Sequence, residues 1–372
     1  MKNKELKELE YWYSKNLQNK LKGRWITLKD ITPILKKMPS IFKATPIGTS
    51  FLNRNIYSVT FGQGKEKILI WTQMHGNEST GTRALFDLFN LFSTKNVFST
   101  KIASILNAYT IVCIPMLNPD GAEVYSRLNA QKIDLNRDVI DKKANESRLL
   151  QKILKQVNPT YCFNMHDQRT IFSVGIENNP ATISFLAPSE DIERTVTEGR
   201  KATMKIIVEM DQLLQKVIPK QIGRYTDEFY PTATGDNFQK MGHNTILIES
   251  GHFKDDYRRE HTRKYTFFAL FQGICSIVSR NEASNYKDYF NIPNNDKNYL
   301  DVVLKNVTYK NERTDVGILY VEKIMDNKLC FSPTIEKLGN LSDYNANDTV
   351  TQSNLVFLNE KELIQWVENK FN

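Results

Sequence analysis

The sequence predicts an α/β protein on a mainly parallel sheet, followed by a small β-rich unit. Two observations carry this. Five runs are β-branched or aromatic and almost continuously apolar, and helical patterns lie between them. Strands that alternate with helices suit a parallel sheet, and strands apolar along their whole length suit one covered on both faces. A chain of 372 residues leaves room for one large domain and a smaller one.

Residues 1–45 read as helix, short link and helix ending near Pro46, an N-terminal helical extension packing on the domain that follows. The strand runs follow at 55–62, 67–74, 109–116, 161–165 and 245–250, bounded by Gly, Asn and Pro. Apolar positions recur at helical spacing over 79–93, 146–157 and roughly 189–217. At 281–298 the chain turns polar and Asn-rich with a Pro, which reads as a linker. Beyond it the runs DVVLKNVTY, GILYVEKI, KLCFSPTI and TQSNLVFL read as strands, and EKELIQWVENKF as a closing helix. The expected domains are therefore 46–283, which carries the site, and a β-rich accessory domain over 296–372.

Composition narrows the function. The net charge is +8, but Lys and Arg alternate with acids along the whole chain. Without a basic stripe, a nucleic-acid partner is not expected. No apolar run reaches membrane-spanning length, so no membrane partner is expected either. Cys113, Cys162, Cys275 and Cys330 are far apart in apolar runs, the pattern of free core cysteines. The charged, amphipathic start MKNKELKELEYWYSKNL has no apolar leader core, and a cytoplasmic setting is the expectation.

The chemistry is concentrated at strand ends. His75 follows the run KILIWTQM in the turn HGNE, and Glu78 is three residues on. His166 ends the run YCFNM, and Glu249 lies at the end of TILIE. Ligands bind at the carboxyl ends of parallel strands, so these four meet at one rim. Two imidazoles and one carboxylate leave the fourth position of a zinc ion for water, the composition of a catalytic site. Zinc acidifies that water and polarises a carbonyl, and Glu249 is the candidate general base. Each piece alone has a plainer reading: a satisfied polar histidine, a capped turn using Asn77 or Ser79, a strand-edge ion pair. His243 and His261 keep such readings.

The segment LNPDGAEVYSRLNAQKIDLNRD (117–138) makes the pattern specific. HGNE, NPDG, then Arg127 with D-L-N-R-D, then a strand ending in His and one ending in Glu, resembles the zinc carboxypeptidase family of the carboxypeptidase A type. The short spacing from Arg127 to Asn136 looks closest to the bacterial murein-peptide amidase branch. The resemblance covers about 50–275. It implies a mixed sheet of about eight strands with helices on both faces. It implies one Zn2+ per chain on His75, Glu78 and His166, Glu249 as base, and Arg127 as the oxyanion-stabilising arginine. Asn136 and Arg137 match the clamp for a terminal carboxylate, and Asp134 matches an acid that orients a ligand histidine. Tyr230 falls near the family's substrate tyrosine, with Tyr225 as competitor.

The implied activity is a zinc metallocarboxypeptidase. It would hydrolyse an amide bond near a free C-terminal carboxylate by a promoted-water path, with cell-wall-derived peptides as one substrate class. The alternatives are an N-acyl amino-acid hydrolase of the aspartoacylase type, which shares HGNE and DLNR, and an inactive binding module on this fold. Departures from the family are Asn77 where digestive members carry arginine, Asp167, Gln168 and Arg169 after His166, and His252 soon after Glu249. Asp167 or Arg169 is expected to read a charged group on the substrate.

Overall fold

The computed structural model describes residues 1–279 and 284–371. The main sheet has eight strands. From edge to edge they are Lys43–Thr49, Asn55–Phe61, Tyr109–Ile114, Glu66–Trp71, Tyr161–Asp167, Asn244–Ser250, Ile183–Leu186 and Ile222–Arg224. The four central strands, from Tyr109–Ile114 to Asn244–Ser250, are mutually parallel; antiparallel neighbours flank them on both sides. The expected mixed, mainly parallel sheet is what forms.

The apolar runs are explained by cover on both faces. Ile68, Leu69, Ile70 and Trp71 are all fully buried, but they alternate between two cores. Ile68 and Ile70 meet the helices Thr80–Ser93, Ser99–Ala108, Glu198–Leu214 and Glu260–Ser279, together with the N-terminal helices Asn3–Asn16 and Leu28–Leu35. Leu69 and Trp71 meet the helix Asn145–Val157 and Phe238. Each such side chain contributes about 1.5–3 kcal/mol on burial, so the central strands are rigid mounts.

Several elements differ from the expectation. The N-terminal helices end at Leu35, and Pro46 lies within an edge strand. That strand pairs on one side only, with a register shift between Pro46 and Gly48, where proline's missing N–H is tolerated. The helix expected over 189–217 spans Glu198–Leu214, capped by Thr197, whose Oγ1 accepts from Arg200 N. The strands Ile183–Leu186 and Ile222–Arg224 are too short to show a period.

The expected linker is not loose where it is described. Residues 281–283 lie outside the described residues. Beyond them, Tyr289 is fully buried with its Oη accepting from Ala187 N at 3.1 Å, and Asn295–Lys297 pairs with Phe172–Val174. The C-terminal sheet comprises Tyr299–Tyr309, Glu312–Met325, Lys328–Gly339 and Asn345–Thr351, with the short Val356–Phe357 and the closing helix Glu360–Phe371. Its fourth strand is the polar NANDTVT; of the expected TQSNLVFL, only Thr351 at the end of that strand and the short Val356–Phe357 are extended. Backbone pairing to Tyr299–Tyr309 holds that strand despite its composition.

All four cysteines are free; Cys113 and Cys162 are buried, while Cys275 and Cys330 are partly exposed. No helix among the described residues is long and apolar enough to cross a membrane.

Candidate metal centre

Three adjacent parallel strands deliver the site. In the pairing of Asn244–Ser250 with Tyr161–Asp167, Glu249 stands directly opposite His166. The strand Glu66–Trp71, on the other side of Tyr161–Asp167, leads into the HGNE turn. Arg259 fixes this rim: buried, it donates from Nη1 to Ser250 O at 2.6 Å, also bonds Gln168 O, and pairs with Asp167 at 3.2 Å.

The HGNE turn is braced by the NPDG turn. A side-chain carbon on Gly76 would lie 2.0 Å from the backbone of Gly121, so glycine lets the two turns touch. Asn118 accepts from Gly121 N at 2.8 Å and donates to Met74 O at 3.2 Å. Ser79 does not cap the helix that follows; its hydroxyl donates to Arg24 O. The capped-turn reading of HGNE therefore fails.

His75, Glu78 and His166 are buried, and one ligand atom from each lies within 4.8 Å of the others. His75 Nδ1 is 2.8 Å from Glu78 Oε1, His166 Nδ1 is 2.9 Å from Glu78 Oε2, and the two Nδ1 atoms are 3.2 Å apart. Zinc's bond lengths place tetrahedral neighbours about 3.3 Å apart, so the donor set fits the ion. The far side of His75 strengthens the fit. Its Nε2 lies 3.1 Å from Asp134 Oδ1, an acceptor that holds a proton on Nε2, and Nδ1 is the nitrogen turned toward the other ligands.

Electrostatics agree. Burial would raise the Asp134 carboxyl, but the His75 hydrogen bond and the charges of His75 and Arg127 hold it well below its usual range. Burial first, then the negative charges of Glu78 and Asp167, push Glu249 well above a normal carboxylate. Its Oε2 is buried without a partner. A cation bound by the three ligands acts in the opposite sense on Glu249, favouring the ionised base.

Arg127 stands beside this cluster with Nη1 3.2 Å from Glu78 Oε1 and Nε 3.0 Å from Asp134 Oδ2. Asn136 is buried; its Oδ1 accepts from Thr234 N at 3.2 Å, which leaves its NH2 as a donor. Arg137 stacks over the ring of Tyr230 at 4.4 Å, and that tyrosine is 53% exposed. Tyr225 instead lines the cavity itself, and burial followed by the nearby Glu249 and Glu78 charges raises its phenol.

The residues after His166 are placed differently from expectation. Asp167 is buried against Arg259 and accepts from Thr80 Oγ1 at 2.7 Å, while its N–H donates to Glu78 Oε2 at 3.1 Å. It positions a ligand and a rim and spends its charge there. Arg169 is exposed and pairs with Glu336 of the C-terminal sheet at 3.2 Å. His252 turns away from Glu249 and bonds Asn347 Oδ1 at 3.0 Å. Arg24 and Glu322 also line the cavity, and no sequence signal marked them.

The family described as zinc carboxypeptidase matches residues 28–162, a span holding His75, Glu78, Arg127, Asn136 and Arg137. The resemblance drawn from the motifs is the one the comparison returns.

Carboxypeptidase 2 of Trichophyton tonsurans is 27% identical over 103 residues, covering 27% of this chain and 19% of that protein. A protein of Arthroderma benhamiae described as probable carboxypeptidase 2 is 24% identical over 162 residues, covering 42% and 28%. The chain thus spans less than a third of these curated relatives. Among solved structures, a metallo-carboxypeptidase from Burkholderia cenocepacia superimposes with a TM-score of 0.53 at 15% identity, covering 67% of each chain. Carboxypeptidase A from Helicoverpa armigera gives 0.53 at 14% identity, covering 74% of this chain and 80% of its own. These likenesses establish the fold.

Proposed function

We propose that this protein is a zinc-dependent carboxypeptidase, cutting an amide bond near a free C-terminal carboxylate. The observation that carries the reading is the parallel register that sets Glu249 against His166, beside the converging donors of His75 and Glu78. Among the described residues these donors form the single such cluster, which supports one zinc per chain. When bound there, zinc supplies an acidified water and a Lewis acid for the scissile carbonyl.

The chain's own groups do the rest. Glu249, with one oxygen unpartnered, takes the water's proton and delivers it to the leaving nitrogen. Arg127 donates to the charge that grows on the carbonyl oxygen. Asn136 and Arg137 hold the terminal carboxylate, a task suited to arginine's planar fork, and Tyr230 on Arg137 covers it. The short spacing from Arg127 to Asn136 supports peptides of cell-wall origin as the substrate class.

The test is metal analysis with a peptide-library digest on the wild type and Glu249→Gln. Zinc is expected in both, and hydrolysis should fall by about 10²–10⁴-fold or more in the variant. Zinc lost from the variant would show that Glu249 had been given the wrong role. Activity confined to acylated amino acids would favour the acyl hydrolase.

A further inference from the structure

The cavity over the metal centre is about 390 Å³, near the small end of the 300–1,000 Å³ typical of small-molecule sites. Its walls do not come from the main domain alone. Arg24 enters from the N-terminal segment, and Glu322 from the C-terminal strand Glu312–Met325. The two pair through Arg24 Nη1 and Glu322 Oε1 at 2.5 Å. The arginine is buried at 8% exposure, whereas the glutamate keeps 27%. What a ligand meets at this wall is therefore the acid.

This wall is fixed in place. Ile171 of the main domain shares one apolar cluster with Leu300, Val303, Leu319 and Leu341. Tyr299 N donates to Ile171 O at 3.1 Å, and Arg169 reaches Glu336. The wall also stands apart from the carboxylate clamp. Asn136 and Arg137 contact Asp134, Thr234 and Tyr230, while Arg24 and Glu322 contact each other and Phe331. The two sets share none of these partners, and both line the cavity that holds the metal centre.

An account of the acids in the cavity isolates one. Glu78 is committed to the metal, Asp167 to Arg259 and Thr80, and Glu249 to proton transfer. Glu322 is paired with Arg24 through Oε1 and still keeps 27% exposure. A carboxylate has about four acceptor sites, and one arginine contact leaves room for an ammonium, which brings three donors.

We propose that Glu322 recognises the free α-ammonium of a short peptide whose C-terminal carboxylate is held by Asn136 and Arg137. The inference rests on the carboxypeptidase reading above. The substrate is then read at both ends, and the C-terminal sheet sets its length.

The experiment compares kcat/KM of the zinc-loaded wild type and Glu322→Gln on one short peptide, with its amino end free or acetylated. The wild type is expected to favour the free peptide by at least about tenfold, the worth of one charged hydrogen bond. In Glu322→Gln that preference should vanish, the ratio of the two kcat/KM values falling to about one. Glu322→Gln leaves Arg24 buried beside a neutral group, so a second measurement avoids position 322. Calorimetry on zinc-loaded Glu249→Gln should show the free peptide binding at least about tenfold tighter than the acetylated one.

Equal cleavage of both peptides by the wild type, equal binding of the two, or a preference that survives Glu322→Gln would overturn the inference and leave the carboxypeptidase reading standing. A zinc-loaded wild type that cuts no peptide would overturn both.

Discussion

At the rim of the main sheet, His75, Glu78, His166 and Glu249 crowd together with valences left over: His166 Nε2 and Glu249 Oε2 are buried and unpartnered. At the junction with the C-terminal sheet, a second polar group is packed just as closely. His252 bonds Asn347 Oδ1, which also accepts from Tyr299 Oη at 3.0 Å. Asn347 donates to Tyr257 Oη at 2.8 Å, and Tyr257 donates to Asp301 Oδ1 at 2.8 Å. Asp301 Oδ2 accepts from Tyr320 N at 2.7 Å. None of these side chains has a buried atom without a partner. Buried polar groups cost stability unless bonded, so the junction satisfies that demand internally and serves architecture. The rim leaves part of that demand unmet at His166 Nε2 and Glu249 Oε2.

The largest effect should come from removing one residue on each side. His166→Ala takes away one of three zinc donors, and both bound metal and hydrolysis should fall below detection. Asn347→Ala strands the groups around it, and should lower unfolding free energy by about 1–3 kcal/mol with metal retained. Metal analysis and denaturant melts on the two variants check this. A His166→Ala protein that kept its zinc, or an Asn347→Ala protein that lost it, would break the contrast.

The rim was legible in the sequence and the junction was not. His75, Glu78, His166 and Glu249 each follow an apolar run, and the sheet turns that local placement into a shared site. His252 was read as a neighbour of Glu249 because it is three residues away. The chain turns at Gly251, where a side-chain carbon would lie 2.0 Å from Ala181 O, and the histidine goes into the other sheet. Arg24 and Glu322 meet across almost 300 residues of sequence through surfaces with no period of their own. Short strands such as Ile222–Arg224 exist only because a neighbour supplies their hydrogen bonds.

Asp134 sharpens the comparison on the rim side, because it belongs to the metal centre without touching the metal. Asp134→Ala removes the acceptor that holds His75 Nε2–H and half of the cradle of Arg127. Metal affinity should fall about 10–100-fold, read by chelator competition. Unchanged affinity would mean that the HGNE turn alone orients the imidazole.

The smallest effect is a pair of opposed pH slopes at the junction. Burial is the main cause in both groups. It lowers His252 to about 3, against the hydrogen bond it donates to Asn347, and raises Asp301 to about 6, against the bonds from Tyr320 and Tyr257. Between about pH 3 and 6.5 the unfolded chain holds more protons at His252 than the folded one does. The stability linked to His252 is thus fully present above 6.5 and lost as pH falls. Between about 3.8 and 6 the folded protein holds the extra proton at Asp301, so that contribution is lost as pH rises.

The two oppose each other over most of the acidic range, and the wild type should show a shallow net slope from this network. Relative to the wild type, His252→Gln should lose stability as pH rises from 4 to 6. Asp301→Asn should lose it as pH falls from 6.5 to 4. Each slope should reach at most about 1.4 kcal/mol per pH unit. Denaturant melts of the metal-free proteins at pH 4, 5, 6 and 7 measure both slopes without interference from the zinc ligands' role in binding. Slopes of the same sign would show that burial does not shift the two groups in opposite directions, and that the junction is not the closed network that separates it from the rim.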